Sequence, residues 1–319
     1  MRALLLLAAI LALPGVALPQ SSFPTRPVTL TVGYPPGGGP DATARIVAKK
    51  LSENLGVSVV VENKPGAGGG LAIQHIAAAA PDGYTLHLGA IGSLALAPVM
   101  GPTPYDVKKD LAPITLAVNL PNLWVAPADS PAKTMTEFIT LARQRPGHFT
   151  YGSTGVATSG HLAGELLKQR AGIDILHIPY KGAAPAMTDV IAGRVSAVCA
   201  TIAAAKPHVE AGRLTPLATT GSTRSALMPS VPTVAESGLP DYEVTVWYAF
   251  VAPSKAPREI LDYWNRELVK VLKDPGVIAD LAKQGMETMP GSREEAARYM
   301  AAELEKWGKV VRDGKIKAE

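Results

Sequence analysis

The chain has 319 residues, 47% of them hydrophobic and 18% charged, a balance that suits a soluble protein of about two domains. Its net charge of +4 is spread along the sequence without a basic stripe, so no nucleic-acid partner is expected. One cysteine, Cys199, excludes a disulfide within the chain; it lies in the apolar run RVSAVCATIAA and reads as a buried thiol rather than a nucleophile.

Arg2 precedes an apolar run that Pro14 and Gly15 interrupt, with small residues following. The run is too short for a membrane span, and residues 1–20 read as a secretory signal peptide cleaved near Ala17. Beyond it, strand-like and helix-like segments alternate. Residues 28–34 are short and β-branched, and Asp41 is placed to cap a helix carrying Ala44, Val47, Leu51 and Leu55 at helical spacing. VSVVVEN at 57–63 is a second strand, followed by KPGAGGG and an alanine-rich helix to Ala80; YTLHLGA at 84–90 is a third strand.

The middle repeats the theme. Thr134 and Glu137 have capping-box spacing ahead of a helix over 137–143. HFTYGS leads into a strand, then a helix around 162–170 that Gly172 stops, then the strand ILHIPY, the helix APAMTDVIAG and the strand VSAVCAT. Near the end, Pro257 opens a helix with Ile260, Leu261, Trp264, Leu268 and Leu272 on one face. Ser292 and Glu295 cap the last helix, striped by Met300, Leu304, Trp307 and Val311. Such β-turn-α repetition argues for an α/β fold with a parallel sheet covered by helices. Two long β-rich stretches, DLAPITLAVNLPNLWVAP and YEVTVWYAFVAP, read as connections crossing between two domains. The expected division is 25–122 plus 247–319 for the first domain and 123–246 for the second.

Three glycine-rich turns follow strands: YPPGGGPD at 34–41, KPGAGGG at 64–70 and YGSTGVATSGHLAGE at 151–165. None is G-x-G-x-x-G or G-x-x-x-x-G-K-[ST], so nucleotide binding lacks its fingerprint. The third turn carries Ser153, Thr154, Thr158 and Ser159 at a helix start, a donor set suited to a carboxylate. Three such turns at the carboxyl ends of strands, in two domains, point to a cleft. His161 near these serines lacks a G-x-S-x-G elbow, and the six histidines show no metal-binding spacing, so no catalytic site, metal or cofactor is expected.

The segments RPVTLTVGYPPGGGPDATAR, VVVENKPGAGGGLA, APDGYTLHLG, YGSTGVATSGHLAGELLKQRAGIDILHIPYKGAAPAMTDVIAGRV and MPSVPTVAESGLPDYEV are similar, in this order, to the Bug family. These are the solute receptors of tripartite tricarboxylate transporters, and the resemblance covers essentially the whole mature chain. It implies two doubly wound α/β domains around a cleft with a two-strand hinge, as in type II periplasmic binding proteins, closing on a ligand like a flytrap. It also implies a periplasmic receptor, most simply a monomer, that delivers a small organic carboxylate to membrane subunits. Carried over by motif, the first wall is Tyr34, Gly37, Gly38, Gly39 and Asp41, reaching ligand through water, with Gly68, Gly89 and Ser93 beside it. The gripping wall is Ser153, Thr154, Thr158 and Ser159 with His161, and Tyr180 and Ala184 line the same cleft. Two departures stand out. Pro36 occupies a turn where the family often has a bulky aromatic, and GRVSAVCAT places Ser196 and Thr201 or Ala200 where family members carry acids, favouring ligands without an amino group. A ligand sensor for a membrane receptor needs the same cleft, and an exported hydrolase using Ser153 or Ser159 is the enzymatic alternative.

Overall fold

Chain order and pairing follow from short β-branched strands, each succeeded by a glycine turn and a helix. The structure, a computed structural model, describes residues 23–155, 158–180 and 182–314; the expected signal peptide lies outside them. β1 (Val28–Val32) is followed by α1 (Gly39–Leu55), β2 (Val59–Asn63), a 3-10 turn at Ala67–Gly69, α2 (Gly70–Ala77) and β3 (Thr85–Ala90). A π-helical turn (Gly92–Leu96), α3 (Ala97–Met100) and α4 (Val107–Asp110) lead into the long strand β4 (Leu111–Pro127). Then come α5 (Met135–Gln144), β5 (Phe149–Ser153), α6 (Ser159–Ala171), β6 (Ile175–Pro179), α7 (Ala183–Ile191), β7 (Ala197–Thr201), α8 (Ile202–Glu210) and β8 (Leu214–Thr219). The chain closes with β9 (Thr245–Pro253), α9 (Arg258–Leu272), α10 (Pro275–Lys283), β10 (Glu287–Thr288) and α11 (Arg293–Asp313).

The strands form one sheet ordered β2-β1-β3-β9-β4-β7-β5-β6, with β8 and β10 also paired to β4. β1 runs parallel to β2 and β3, and β5 runs parallel to β6 and β7. β4 joins the two parallel halves. From Leu111 to Pro121 it pairs antiparallel with β9; from Asn122 onward it pairs with β7 and β8. Its pairing with β9 slips near Pro113, where a missing N–H is tolerated beside a bulge. The change of partner at Pro121/Asn122 is held by Thr220: its N–H donates to the Asn122 carbonyl, its hydroxyl accepts the Asn122 N–H, and its own carbonyl accepts from Val244.

One core packs Val28, Leu30 and Val32 of β1 against Ala44, Val47 and Leu51 of α1 and Trp264, Leu268 and Leu272 of α9. A second runs along the other face through both halves of the sheet and contains Trp124, Tyr151, Trp247 and Trp307. The aromatic stripes of α9 and α11 are therefore core. Both capping boxes form, Thr134 with Glu137 and Ser292 with Glu295. Cys199 is buried, and burial pushes its thiol well above the usual range.

Several boundaries differ from the sequence expectation. α1 opens at Gly39 with Gly38 as its N-cap, so Asp41 lies inside the first turn and caps nothing. α2 ends at Ala77 rather than Ala80, and α6 starts at Ser159, a turn before its apolar stripe.

Candidate functional site

The loops after β1, β2 and β3 gather at one edge of the sheet. The Tyr34 hydroxyl donates to the Gly68 carbonyl at 3.1 Å and is also hydrogen-bonded to Ser93. Gly33 lies so close to Gly69 that a Cβ there would sit 2.7 Å from the Gly69 Cα. The tip, Pro35 to Gly38, is exposed, and Gly37 has φ +86°. Tyr34, Gly68 and Ser93 are thus brought together, with Gly37 and Gly38 projecting from them.

Three residues of this group face elsewhere. The Asp41 carboxylate is 3% exposed and turns back into the loop. It accepts from Gly37 N–H at 2.9 Å, Asn63 Nδ2 at 2.9 Å and Arg45 Nε at 3.0 Å. The Arg45 hydrogen bond is the main reason its pKa falls to about 2. Asn63 also donates to the Tyr34 carbonyl, so this knot sets the shape of the glycine loop. Gly89 serves packing: a Cβ there would lie 2.7 Å from Leu94. Gly39 similarly admits the Tyr248 hydroxyl and Met286 against the start of α1.

The second group lies at the carboxyl ends of β5 and β6 and the start of α6. Thr158 is the N-cap of α6; its hydroxyl accepts from His161 N–H and donates to the Gly155 carbonyl at 2.7 Å. Ser159 is the first helical residue, and its hydroxyl donates to Asn122 Oδ1 at 3.3 Å. The main chain ties the neighbouring turns together: Tyr180 N–H donates to Ser153 O, and Gly182 N–H to Thr154 O. Tyr180 packs its ring on Gly152, while its hydroxyl donates to Asp189 and is raised to about 12 by burial. Its ring, not its hydroxyl, is what it can offer a cleft. Ala184 is exposed in the first turn of α7. The Ser196 hydroxyl accepts from Thr150 N–H, a structural use that needs no ligand.

Beneath this helix start lies a polar stack. His161 and His177 are parallel at 4.0 Å, and Tyr151 stacks on the other face of His177 at 4.8 Å. Desolvation lowers both histidines, His177 to about 4, so the pair is neutral near pH 7. Glu165 accepts from the Tyr151 hydroxyl and pairs with Lys168. The helix start therefore presents dipoles and hydroxyls, with its nearby histidines uncharged. The Ser153–His177 contact, at 2.7 Å, has the length of a nucleophile–base pair. Ser153 is fully buried, and its hydroxyl also donates to Gly155 O and accepts from Gly155 N–H, so the loop already holds it. The contact fixes the loop and activates nothing.

His177 and Asn122 were not among the expected residues. A polar residue inside the apolar strand ILHIPY, and an asparagine between the prolines and leucines of NLPNLW, were the available signals. Among the described residues no group of three His, Cys, Asp or Glu converges as for a metal. A groove of about 850 Å³ between α6 and α11, lined by Arg170, Glu243, Tyr299 and Lys306, opens at the far end of α6 from Ser159 and shares none of the turns above.

Two parallel half-sheets, joined through β4 and β9 and with glycine turns at their carboxyl ends, define the class: a periplasmic-binding-protein fold of the two-lobed, solute-binding kind. The particular family follows from comparison. Residues 43–316 match the model of the TctC family, described as tripartite tricarboxylate transporter family receptors, and the chain belongs to that family of receptors rather than enzymes. It is 34% identical to protein BugT of Bordetella pertussis over 316 residues, 98% of this chain and 97% of BugT. The structure of R. palustris Rpa4515 with adipate is 35% identical, covering 92% of this chain and 99% of its own, with a TM-score of 0.74. A ligand-free TctC solute-binding protein from Polaromonas is 27% identical, covers 92% of this chain and 100% of its own, and has a TM-score of 0.85. Among the described residues no helix is long and apolar enough to cross a membrane.

Proposed function

We propose that the protein captures a small organic carboxylate between two lobes, residues 25–122 plus 247–319 and residues 123–246, and that the N-terminus of α6 is the grip. The carrying observation is the set of neutral donors there: the first-turn main-chain N–H groups and the Ser159 hydroxyl behind the Thr158 cap, above histidines that are themselves uncharged. A carboxylate accepts several short charge-assisted hydrogen bonds from such a set. Tyr34, Gly37, Gly38, Gly68 and Ser93 form the facing wall, with ordered water completing the contacts. Adipate in Rpa4515 supports a dicarboxylate of this size range as ligand class. In this reading the described arrangement is the open one.

In this reading residues 1–20 direct the chain to the periplasm, where the closed form acts as a monomer and delivers its ligand to the membrane subunits of a tripartite transporter. The test is thermal unfolding and calorimetry with acetate, malate, adipate and citrate. At least one should raise the unfolding temperature in proportion to the logarithm of its concentration. Ser159→Ala should weaken that ligand by about ten- to a hundredfold, the loss of one hydrogen bond to a charged group. No shift with any mono-, di- or tricarboxylate would overturn the reading.

A further inference from the structure

Asn122 stands where β4 leaves β9 for β7 and β8, and its main chain is fixed on both sides by Thr220. Its register partner is Thr201, at the carboxyl end of β7, so Asn122 lies at the same sheet edge as Ser153 and the start of α6. Its side chain is 1% exposed. Oδ1 accepts from Ser159 Oγ, while Nδ2 is buried and has no hydrogen-bond partner among the described residues. A buried amide donor left without an acceptor costs about 1–3 kcal/mol. A half-turn of the carboxamide removes that cost only when the Ser159 proton, which then loses Oδ1, finds another acceptor such as an anion. Nδ2 then donates to Ser159 Oγ, and the atom left unpaired is an acceptor, which proteins tolerate better.

The two orientations have opposite consequences for Ser159. With Oδ1 facing it, the serine proton is spent on Asn122. With Nδ2 facing it, the serine oxygen is satisfied and its proton points elsewhere, toward an anion at the α6 N-terminus. We infer that Asn122 is a positioning residue of the carboxylate site, acting through Ser159: it takes the serine proton when the site is empty and donates to the serine when a carboxylate arrives. This rests on reading the α6 N-terminus as the carboxylate site. A carboxamide can reverse its role in this way. An ionised aspartate cannot, because it accepts only.

The experiment compares wild type, Asn122→Asp and Asn122→Ala with the tightest-binding member of the acetate, malate, adipate and citrate panel, by calorimetry from pH 8 to pH 5. Each affinity is divided by that of wild type at the same pH, which cancels the ligand's own protonation. Asn122→Asp should bind at least about thirtyfold weaker at pH 8, having lost a donor and gained a like charge. The gap should narrow to a few-fold by pH 5, because a buried carboxyl has a raised pKa and its protonated form donates again. Asn122→Ala should lose about tenfold at every pH. A purely structural role would give Asn122→Asp a loss that does not recover on acidification, and that result overturns the inference, as does wild-type affinity at pH 8. If Asn122→Asp does not fold, Asn122→Ala in a Ser159→Ala background decides: no further loss supports action through Ser159, and additive losses overturn it. Wild-type protein that binds none of the panel fails the reading of the site itself, and the inference with it.

Discussion

Asp41 shows how one carboxylate can be claimed by two different jobs. From sequence it stands beside three glycines at a helix start, where either a cap or a ligand contact is reasonable. The deciding partner is Asn63, 22 residues away, which together with Arg45 and Gly37 turns the carboxylate inward. No local pattern carries that information. Its folded pKa, about 2, lies below the unfolded 3.8, so its contribution is present above about pH 4 and is lost as pH falls through about 2. Asn at this position keeps the shape but loses the charge and turns one donor against another. Asp41→Asn should cost about 1–2 kcal/mol at pH 7, discounted because the Arg45 side chain is 52% exposed. Urea unfolding at pH 7, 4 and 2.5 checks this: the gap between wild type and variant should be widest at pH 7 and shrink toward pH 2.5. A gap that is the same at all three would mean the carboxylate's charge is not what holds the loop.

At the scale of elements, local signals were readable and close packing was not. Both capping boxes and the apolar stripes of α9 and α11 appear in the sequence and in the fold, because each depends on residues three or four apart. The start of α6 was legible from Thr158 and Ser159, but its packing was not. Its stripe begins at Leu162, while Gly160 is set by contact with β7. A Cβ on Gly160 would lie 2.2 Å from the Cys199 carbonyl oxygen, and one on Gly164 would lie 2.0 Å from the Tyr151 ring. G-x-x-x-G spacing places both glycines on the helix face that presses against β5 and β7, which is the signal sequence inspection could have used. Gly160→Ala must therefore push the front of α6 off the sheet. The expected cost is about 3 kcal/mol, the upper end for overpacking, because the obstacle is backbone. The same displacement should weaken carboxylate binding by more than Gly172→Ala, which strains the φ +61° C-cap at the other end of the helix but meets nothing within 4 Å. Calorimetric affinity and thermal unfolding of the two variants measure the contrast; equal binding losses would detach the α6 N-terminus from the site.

For the whole molecule, the two long β-rich stretches announced the crossing between lobes, since 17 residues of β4 exceed what one half-sheet needs. The exchange of partners at Asn122 was not legible, because it depends on Thr220, 98 residues on, which holds Asn122 and Val244 at a single point. Closure of the proposed lobes would turn about that point, and contacts between lobes away from it must then change. One is well placed for a test. Ala203, at the start of α8, faces Gly285, after α10; a Cβ on Gly285 would lie 2.9 Å from the Ala203 Cβ. A small adjustment brings that pair into the 3.5–4.5 Å range of a disulfide. Ala203→Cys with Gly285→Cys should therefore cross-link the lobes in the described arrangement, and buried Cys199 should not compete for the new thiols. Gly285 has φ +75°, so the introduced cysteine carries some strain and the bond should reduce readily. In the reduced form the double variant should bind its carboxylate and contract on binding, seen as a fall in the radius of gyration by solution scattering. Oxidised, it should keep one radius with or without ligand and bind at least about tenfold weaker, since the closed state is withheld. Recovery on reduction separates this from damage to the fold. Full affinity and full contraction in the oxidised form would show that the lobes do not turn at this contact, and the hinge would have to be sought elsewhere than at Asn122, Thr220 and Val244.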